Sequence, residues 1–205
     1  MAFTPRSATT RAAILAAARK LLSEQGYEAM TIRAVAAEVG IDPSMVMRYY
    51  GNKAGLLSAA VDLDLHFDQV SPPPRKQLGE ALARHFLSRW EGELSDDATT
   101  LLLRAAATNP FAAERMREIF DTQVTAFVRA FAGDDASVPR RAGLAASQLL
   151  GLALTRYIIG IRPITEMSVD ELVADIAPVL QYYLTGDLGA ADSRAVRKAR
   201  SPGRR

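Results

Sequence analysis

The sequence contains no cysteine. That excludes disulfides, thiolate metal sites and a cysteine nucleophile, and it fits a reducing, cytoplasmic setting. Histidine is almost absent too: His66 and His85 are the only two, and they are not spaced to ligate from one helix face. No metal or cofactor is expected. Aromatics make up only 7% of the chain, while alanine is abundant. There is no long Val/Ile/Thr alternation and no Asn-Gly hairpin signal, so an all-α fold is expected.

Catalytic signatures are missing as well. Neither a phosphate-binding loop, nor Gly-x-Gly-x-x-Gly after a strand, nor Gly-x-Ser-x-Gly occurs. The carboxylate pairs Asp96-Asp97 and Asp134-Asp135 fall where helices begin or end, as caps. An enzyme is not expected. The start, "MAFTPRSATTR", lacks the apolar stretch of a signal peptide. Residues 144–161 approach the length of a membrane span but include Ser147, Gln148, Thr155 and Arg156. An arginine at mid-bilayer is costly, so this reads as a helix buried in protein on most sides, with no membrane partner.

What is present is a chain of 205 residues, 49% hydrophobic, with an uneven charge distribution. Residues 1–55 carry seven Lys/Arg against four acids, and residues 186–205 carry six against two. The middle holds the compensating negative excess, and basic ends on an acidic body suit a polyanionic partner.

Helix signals divide the chain. A first helix is expected from Thr9 or Thr10 to about Gln25, with Ile14, Leu15, Ala18, Leu21 and Leu22 on one stripe and Gly26 closing it. Thr31 caps a second, which runs to Gly40. Asp42 caps a third with Pro43 at its first position, and Gly51 stops it after two turns. Asn52 caps a fourth, expected to continue through Leu65 as a linking helix over 52–70. "SPPPR" at 71–75 is a break. Beyond it, helices are expected at about 76–91, 97–108, 110–132, 139–161 and 169–185, the last opened by a Ser168/Glu171 capping box. The domains are therefore 1–55, 71–186 and a basic tail, 187–205, expected to be disordered.

A helix, a tight Gly40-Ile41-Asp42 turn and a short helix make a helix-turn-helix pattern. Ile32, Val35, Ala36, Val39, Ile41, Val46 and Tyr50 sit where they can face the first helix. Ser44, Met45, Met47, Arg48 and Tyr49 are left on the outer side. Exposed Met and Tyr beside Arg need something to pack on, and a DNA major groove offers thymine methyls, base edges and phosphates. Lys53 and the amides of its helix start can hold a phosphate.

Residues 10–65 resemble the DNA-binding domain of TetR/AcrR-type regulators. The features that match are Gly26-Tyr27, Thr31-Ile32-Arg33, Ala36, Gly40-Ile41, Tyr50 three residues before Lys53, and Leu56-Leu57. The resemblance implies an N-terminal three-helix DNA-binding domain and a C-terminal helical domain for ligand binding and dimerisation. It implies phosphate or base-edge contacts from Thr31 and Arg33, groove contacts from Ser44, Met45, Met47, Arg48 and Tyr49, and a phosphate contact from Lys53. The family often has a tyrosine where this chain has Met47. Either Tyr49 replaces that phosphate contact, or Met47 packs on a thymine methyl or a neighbouring side chain.

In the second domain, the apolar helix near 139–161 and the last helix read as a two-fold, four-helix interface. Leu144, Gln148, Leu152, Leu172, Ile176, Val179 and Tyr183 are its candidate residues. Phe86, Trp90, Arg104, Phe111, Met116, Phe120 and Tyr157 are candidates to line an effector pocket. The expected function is a homodimeric transcriptional regulator, a repressor released from a palindromic double-stranded operator by a small, mainly apolar effector. The alternative is a helical ligand-binding or interaction module with a vestigial helix-turn-helix.

Overall fold

A computed structural model of the chain describes residues 5–70, 72–91 and 97–189. Among them there is no strand. The far part of the expected tail, 190–205, lies outside the described residues.

Helix α1 spans Pro5–Ala29, starting earlier than Thr9 or Thr10, and Gly26 at φ 81° breaks it near the expected end. Helices α2 (Ile32–Val39) and α3 (Pro43–Tyr50) follow. The turn between them rests on Gly40 in the left-handed region at φ 72°, which side chains with a Cβ rarely adopt. Helix α4 covers Lys53–Ala60, capped by Asn52 Oδ1, which accepts from Gly55 N–H at 2.9 Å. Ile14, Ala18, Met30, Val35, Val46, Leu56 and Leu57 form the heart of this domain's core.

The linking helix expected over 52–70 ends at Ala60. Residues 61–66 run as non-helical backbone, followed by a 3-10 turn at Phe67–Gln69. The sequence "VDLDL" explains the change. Val61 and Leu63 are buried while Asp62 and Asp64 are exposed, a period of two that a helix cannot satisfy. His66, in the left-handed region at φ 52°, opens that turn.

The second domain contains α5 (Leu78–Glu91), α6 (Asp97–Ala106), α7 (Pro110–Ile119), α8 (Thr125–Ala132), α9 (Val138–Ala153), α10 (Arg162–Thr165) and α11 (Val169–Thr185). A π-turn, Phe120–Val124, joins α7 to α8, and a second, Leu154–Ile159, extends α9. The short α10, begun by Arg162-Pro163, stands where only a helix end was expected. The Ser168/Glu171 capping box forms as expected.

Two apolar cores result. The first joins α1–α4 to Leu101, Leu102, Ala112 and Ile119 of α6 and α7. The second packs α5, α8, α9 and α11 around Leu82, Leu87, Phe127, Leu149, Leu172 and Leu180. The span Val138–Ile159 is long and apolar enough, by length and composition, to cross a membrane, yet only 28% of its most apolar stretch is buried. It was expected to be buried on most sides. Instead it packs on α8 and α11 and leaves an apolar face open.

Helix α5 lies along α11 at very close range. A Cβ on Gly79 would sit 2.2 Å from the Ala177 carbonyl oxygen and 2.6 Å from the Gln181 amide nitrogen. Gly79 N–H also donates to Gln181 Oε1 at 2.9 Å. Gly79→Ala should therefore destabilise the protein by about 1–3 kcal/mol, the usual cost of overpacking. Gly143, in α9, has nothing within 4 Å of an added Cβ. Gly143→Ala should be neutral or stabilising by up to about 1 kcal/mol, from helix propensity. Urea unfolding of the two variants checks both signs.

Candidate DNA-reading head and effector cavity

The reading head is built by caps and glycines. Thr31 Oγ1 accepts from Ala34 N–H at 3.0 Å and starts α2. Asp42 Oδ1 accepts from Ser44 N–H at 2.8 Å and starts α3. Bonds from the Ser44 side chain and backbone hold the Asp42 carboxyl below its usual pKa, as expected for a helix cap. At the far end, Gly55 brings α4 against α3, where a Cβ would lie 2.2 Å from the Tyr50 carbonyl oxygen. Tyr50 faces inward, and its hydroxyl donates to the Arg11 carbonyl at 3.2 Å. Lys20 pairs with Glu38 at 2.6 Å, tying α1 to α2.

One face of α3 is therefore fixed and the other is free. Val46 is buried, while Ser44, Met47 and Arg48 are exposed, Met47 at 54%. Met45 is half-buried. Tyr49 is half-buried against the first core, with the Arg48 guanidinium 5.5 Å from its ring centroid. Thr31 and Arg33 are exposed at the start of α2. The Lys53 ammonium lies 4.0 Å from the centroid of Tyr27, a cation–π contact that holds it at the N-terminus of α4.

A cavity of about 520 Å³ lies between the two cores, within the size range of small-molecule sites. Its wall is almost wholly apolar. Of the candidate residues, Phe86, Trp90, Met116 and Phe120 line it. Arg104, Phe111 and Tyr157 do not. Arg104 is exposed on α6 and Phe111 is 57% exposed at the start of α7. Apolar neighbours in sequence did not turn either one inward. Tyr157 stands behind the wall, stacked on Trp90 at 4.6 Å between centroids. Its hydroxyl donates to Glu91 Oε1 at 2.6 Å, and the Arg156 Nε donates to the same oxygen at 2.7 Å. Burial works to raise the Glu91 pKa, but these two bonds outweigh it and hold the carboxyl below its usual range.

Sequence reasoning missed the polar residues of the wall: His85, the 3%-exposed Arg89, Thr99, Arg117 and Asp121. It also missed Leu63, Leu65 and Phe67, which precede the second domain and still line its cavity. The alternation in "VDLDL" was the available signal. His85 Nε2 lies 2.7 Å from the Leu65 carbonyl oxygen. A carbonyl only accepts, so Nε2 carries the hydrogen. Burial lowers the His85 pKa, which favours the neutral ring at this position.

The expected dimer residues divide. Leu152 and Leu172 are buried within the subunit, Leu172 at 1% exposure, because α9 and α11 pack on each other there. They form part of a groove with Gln148 and Ile176. Leu144 and Tyr183 are half-buried and Val179 is exposed. The large exposed apolar side chains on this side are Leu154, Ile159, Ile161, Val179 and Tyr182.

Comparison with known proteins agrees with this architecture. Residues 14–60 match the family described as "Bacterial regulatory proteins, tetR family". Residues 76–184 match "Tetracyclin repressor-like, C-terminal domain". Among solved structures, a TetR-family regulator from Streptomyces coelicolor is 26% identical with a TM-score of 0.62, over 90% of this chain and 99% of that one. NalD of Pseudomonas aeruginosa, a repressor of a multidrug efflux pump, is 20% identical with a TM-score of 0.63, over 84% and 96%. GusR of Salmonella enterica is 20% identical with a TM-score of 0.60, over 87% and 94%. Comparison with curated protein sequences gives no match. With both its DNA-binding and its C-terminal region matched, the chain belongs to the TetR family of DNA-binding transcriptional regulators and is not an enzyme.

Proposed function

We propose that this regulator is a cytoplasmic homodimeric repressor that binds a palindromic operator and is released from it by a small, mainly apolar effector. The observation that carries this reading is the two-sidedness of α3. Val46 and Tyr50 anchor it to the first domain, while Ser44, Met47 and Arg48 project from the opposite side. Met47 and Arg48 supply groove contacts, together with Ser44 and Met45. Met47 packs on an apolar base edge, and Tyr49 serves at the rim, since its ring is already engaged with the core. Arg33, Thr31 and Lys53 flank the head and take phosphates.

The open apolar face of α9 and α11 supports a second copy as the partner. Val179 and Tyr182 would meet their counterparts across a two-fold axis, with Leu154 and Ile159 alongside. Two reading heads related in this way call for half-sites about 34 Å apart, one DNA turn, or a multiple of that. The cavity takes the effector: its apolar wall favours an apolar body, and His85 and Thr99 supply a few polar contacts.

The test is selection of a duplex from a random pool, followed by binding measured by fluorescence anisotropy at several salt concentrations. Wild type should select a palindrome and lose affinity steeply with salt. Lys53→Ala should weaken binding about equally on all sequences and flatten the salt slope by about one for each phosphate contact removed. Arg48→Ala should also relax preference within each half-site. Binding that is absent, or indifferent to both substitutions, would favour the helical module with a vestigial reading head. The interface has its own check. Val179→Glu places a charge on the two-fold face, so light scattering should report a monomer with unchanged helicity. Its operator affinity should fall by at least about tenfold, because the two half-sites are no longer linked.

A further inference from the structure

This inference rests on the effector reading above and assigns the element that transmits it. We propose that residues 61–66 form a strap that senses occupancy of the cavity, latched by Gln123 and His85 as positioning residues.

The strap starts where α4 ends, and Arg19 Nε donates to the Ala60 carbonyl at 2.8 Å to fix that end against α1. Leu63 and Leu65 project into the cavity wall. The backbone between them is held by one side-chain amide. Leu65 N–H donates to Gln123 Oε1 at 2.8 Å, and Gln123 Nε2 donates to the Leu63 carbonyl at 3.1 Å. Only one orientation of the amide satisfies both partners, and the pairing imitates what a neighbouring strand would offer. His85 Nε2 donates to the Leu65 carbonyl at 2.7 Å, so both backbone polar groups of Leu65 are held by second-domain side chains. Further out, Arg115 of α7 pairs with Asp62.

The latch and the cavity wall are the same structure. His85 lines the cavity directly. Gln123 sits on the π-turn Phe120–Val124, and Phe120 and Val124 of that turn line the cavity on either side of it in sequence. A π-turn carries an extra residue that the surrounding helix does not need, a feature that marks functional sites. An occupant pressing on Leu65, Phe120 or Val124 strains the Gln123 amide first. Its release frees the strap, and the strap is continuous with α4, which carries Lys53 at its other end.

A competing route exists. Helices α6 and α7 also touch α1 and α4, so the second domain could push the reading head by sliding as a packed block. The two routes differ at one atom: only the strap route opens the Leu65 amide.

Occupancy can be imposed in two ways on the full-length dimer. N-phenyl-1-naphthylamine is a neutral apolar fluorophore, and its binding can be read by energy transfer from Trp90, the only tryptophan, which lines the cavity. Ala146→Phe fills the same cavity covalently from α9, away from the strap. The readouts are operator affinity and hydrogen exchange at Leu65. Each form of occupancy should weaken operator binding about tenfold, an ordinary size for coupling between sites, and should speed exchange at Leu65. Gln123→Ala should do both with the cavity empty, and adding Ala146→Phe to it should cost less than about twofold more, because the latch is already open. Gln123→Glu keeps the acceptor for Leu65 N–H and should fall between. Thermal melts of the variants separate unfolding from unlatching.

Operator binding that falls on occupancy while Leu65 stays protected would overturn the strap and favour the sliding block. So would additive losses for Gln123→Ala and Ala146→Phe. Operator binding indifferent to both forms of occupancy would overturn the effector reading itself.

Discussion

Non-helical backbone links the two apolar cores, and where Leu63 and Leu65 turn inward its polar groups need partners from the protein. An unmet N–H or C=O there would cost about 1–3 kcal/mol. Two side chains meet the demand at Leu65 and Leu63, and each is placed by something larger. His85 needs α5 to pass close by, and Gln123 needs the helix from α7 to α8 to bulge at Phe120–Val124. The cavity follows from the same geometry, because the leucines of the strap and Phe120 and Val124 of the bulge face one space without filling it. The lowered pKa of His85 fits as well. A charged imidazole would be costly at this apolar seam, and burial lowers its pKa accordingly.

The DNA-reading domain was legible in the sequence because its instructions are local. Thr31, Asp42 and Asn52 each cap the helix that follows, and Gly40 sits where a left-handed residue is needed. Such signals act over three or four residues and survive without knowledge of the rest of the chain. Two helix starts of the second domain, at Asn109-Pro110 and at the Ser168/Glu171 box, were legible for similar reasons.

The strap and the cavity were harder because they depend on partners far away in sequence. Leu56, Leu57, Val61 and Leu65 satisfy a helical stripe as well as the real fold does, and only Leu63 betrays the switch to alternation. The partners that hold the extended form lie far away: Arg19 takes the last carbonyl, and Gln123, 58 residues from Leu65, takes the backbone. Arg104 and Phe111 failed for the opposite reason. Their neighbours are apolar, but the phase of α6 and α7 against α1 and α4 decides which way they point. Leu152 and Leu172 are as apolar as an interface needs, yet they are consumed by the subunit's own α9–α11 packing.

That packing also explains why one helix serves two surfaces. Ala145, Ala146, Leu149 and Leu150 of α9 line the cavity, and Leu154 and Ile159, beyond them, face outward. The π-turn Leu154–Ile159 follows the cavity-lining stretch and changes the phase of the helix, so Tyr157 reaches back to stack on Trp90 at an interplanar angle of 4° while Leu154 and Ile159 are exposed. Glu91 fixes that arrangement by accepting from both Arg156 and Tyr157. A regular helix would carry one stripe and drift from it slowly. A π-turn lets the same helix close a cavity and then offer a separate apolar face. The two π-turns thus serve different ends: Phe120–Val124 lines the cavity beside the strap, and Leu154–Ile159 turns the helix toward the face that a second subunit would cover.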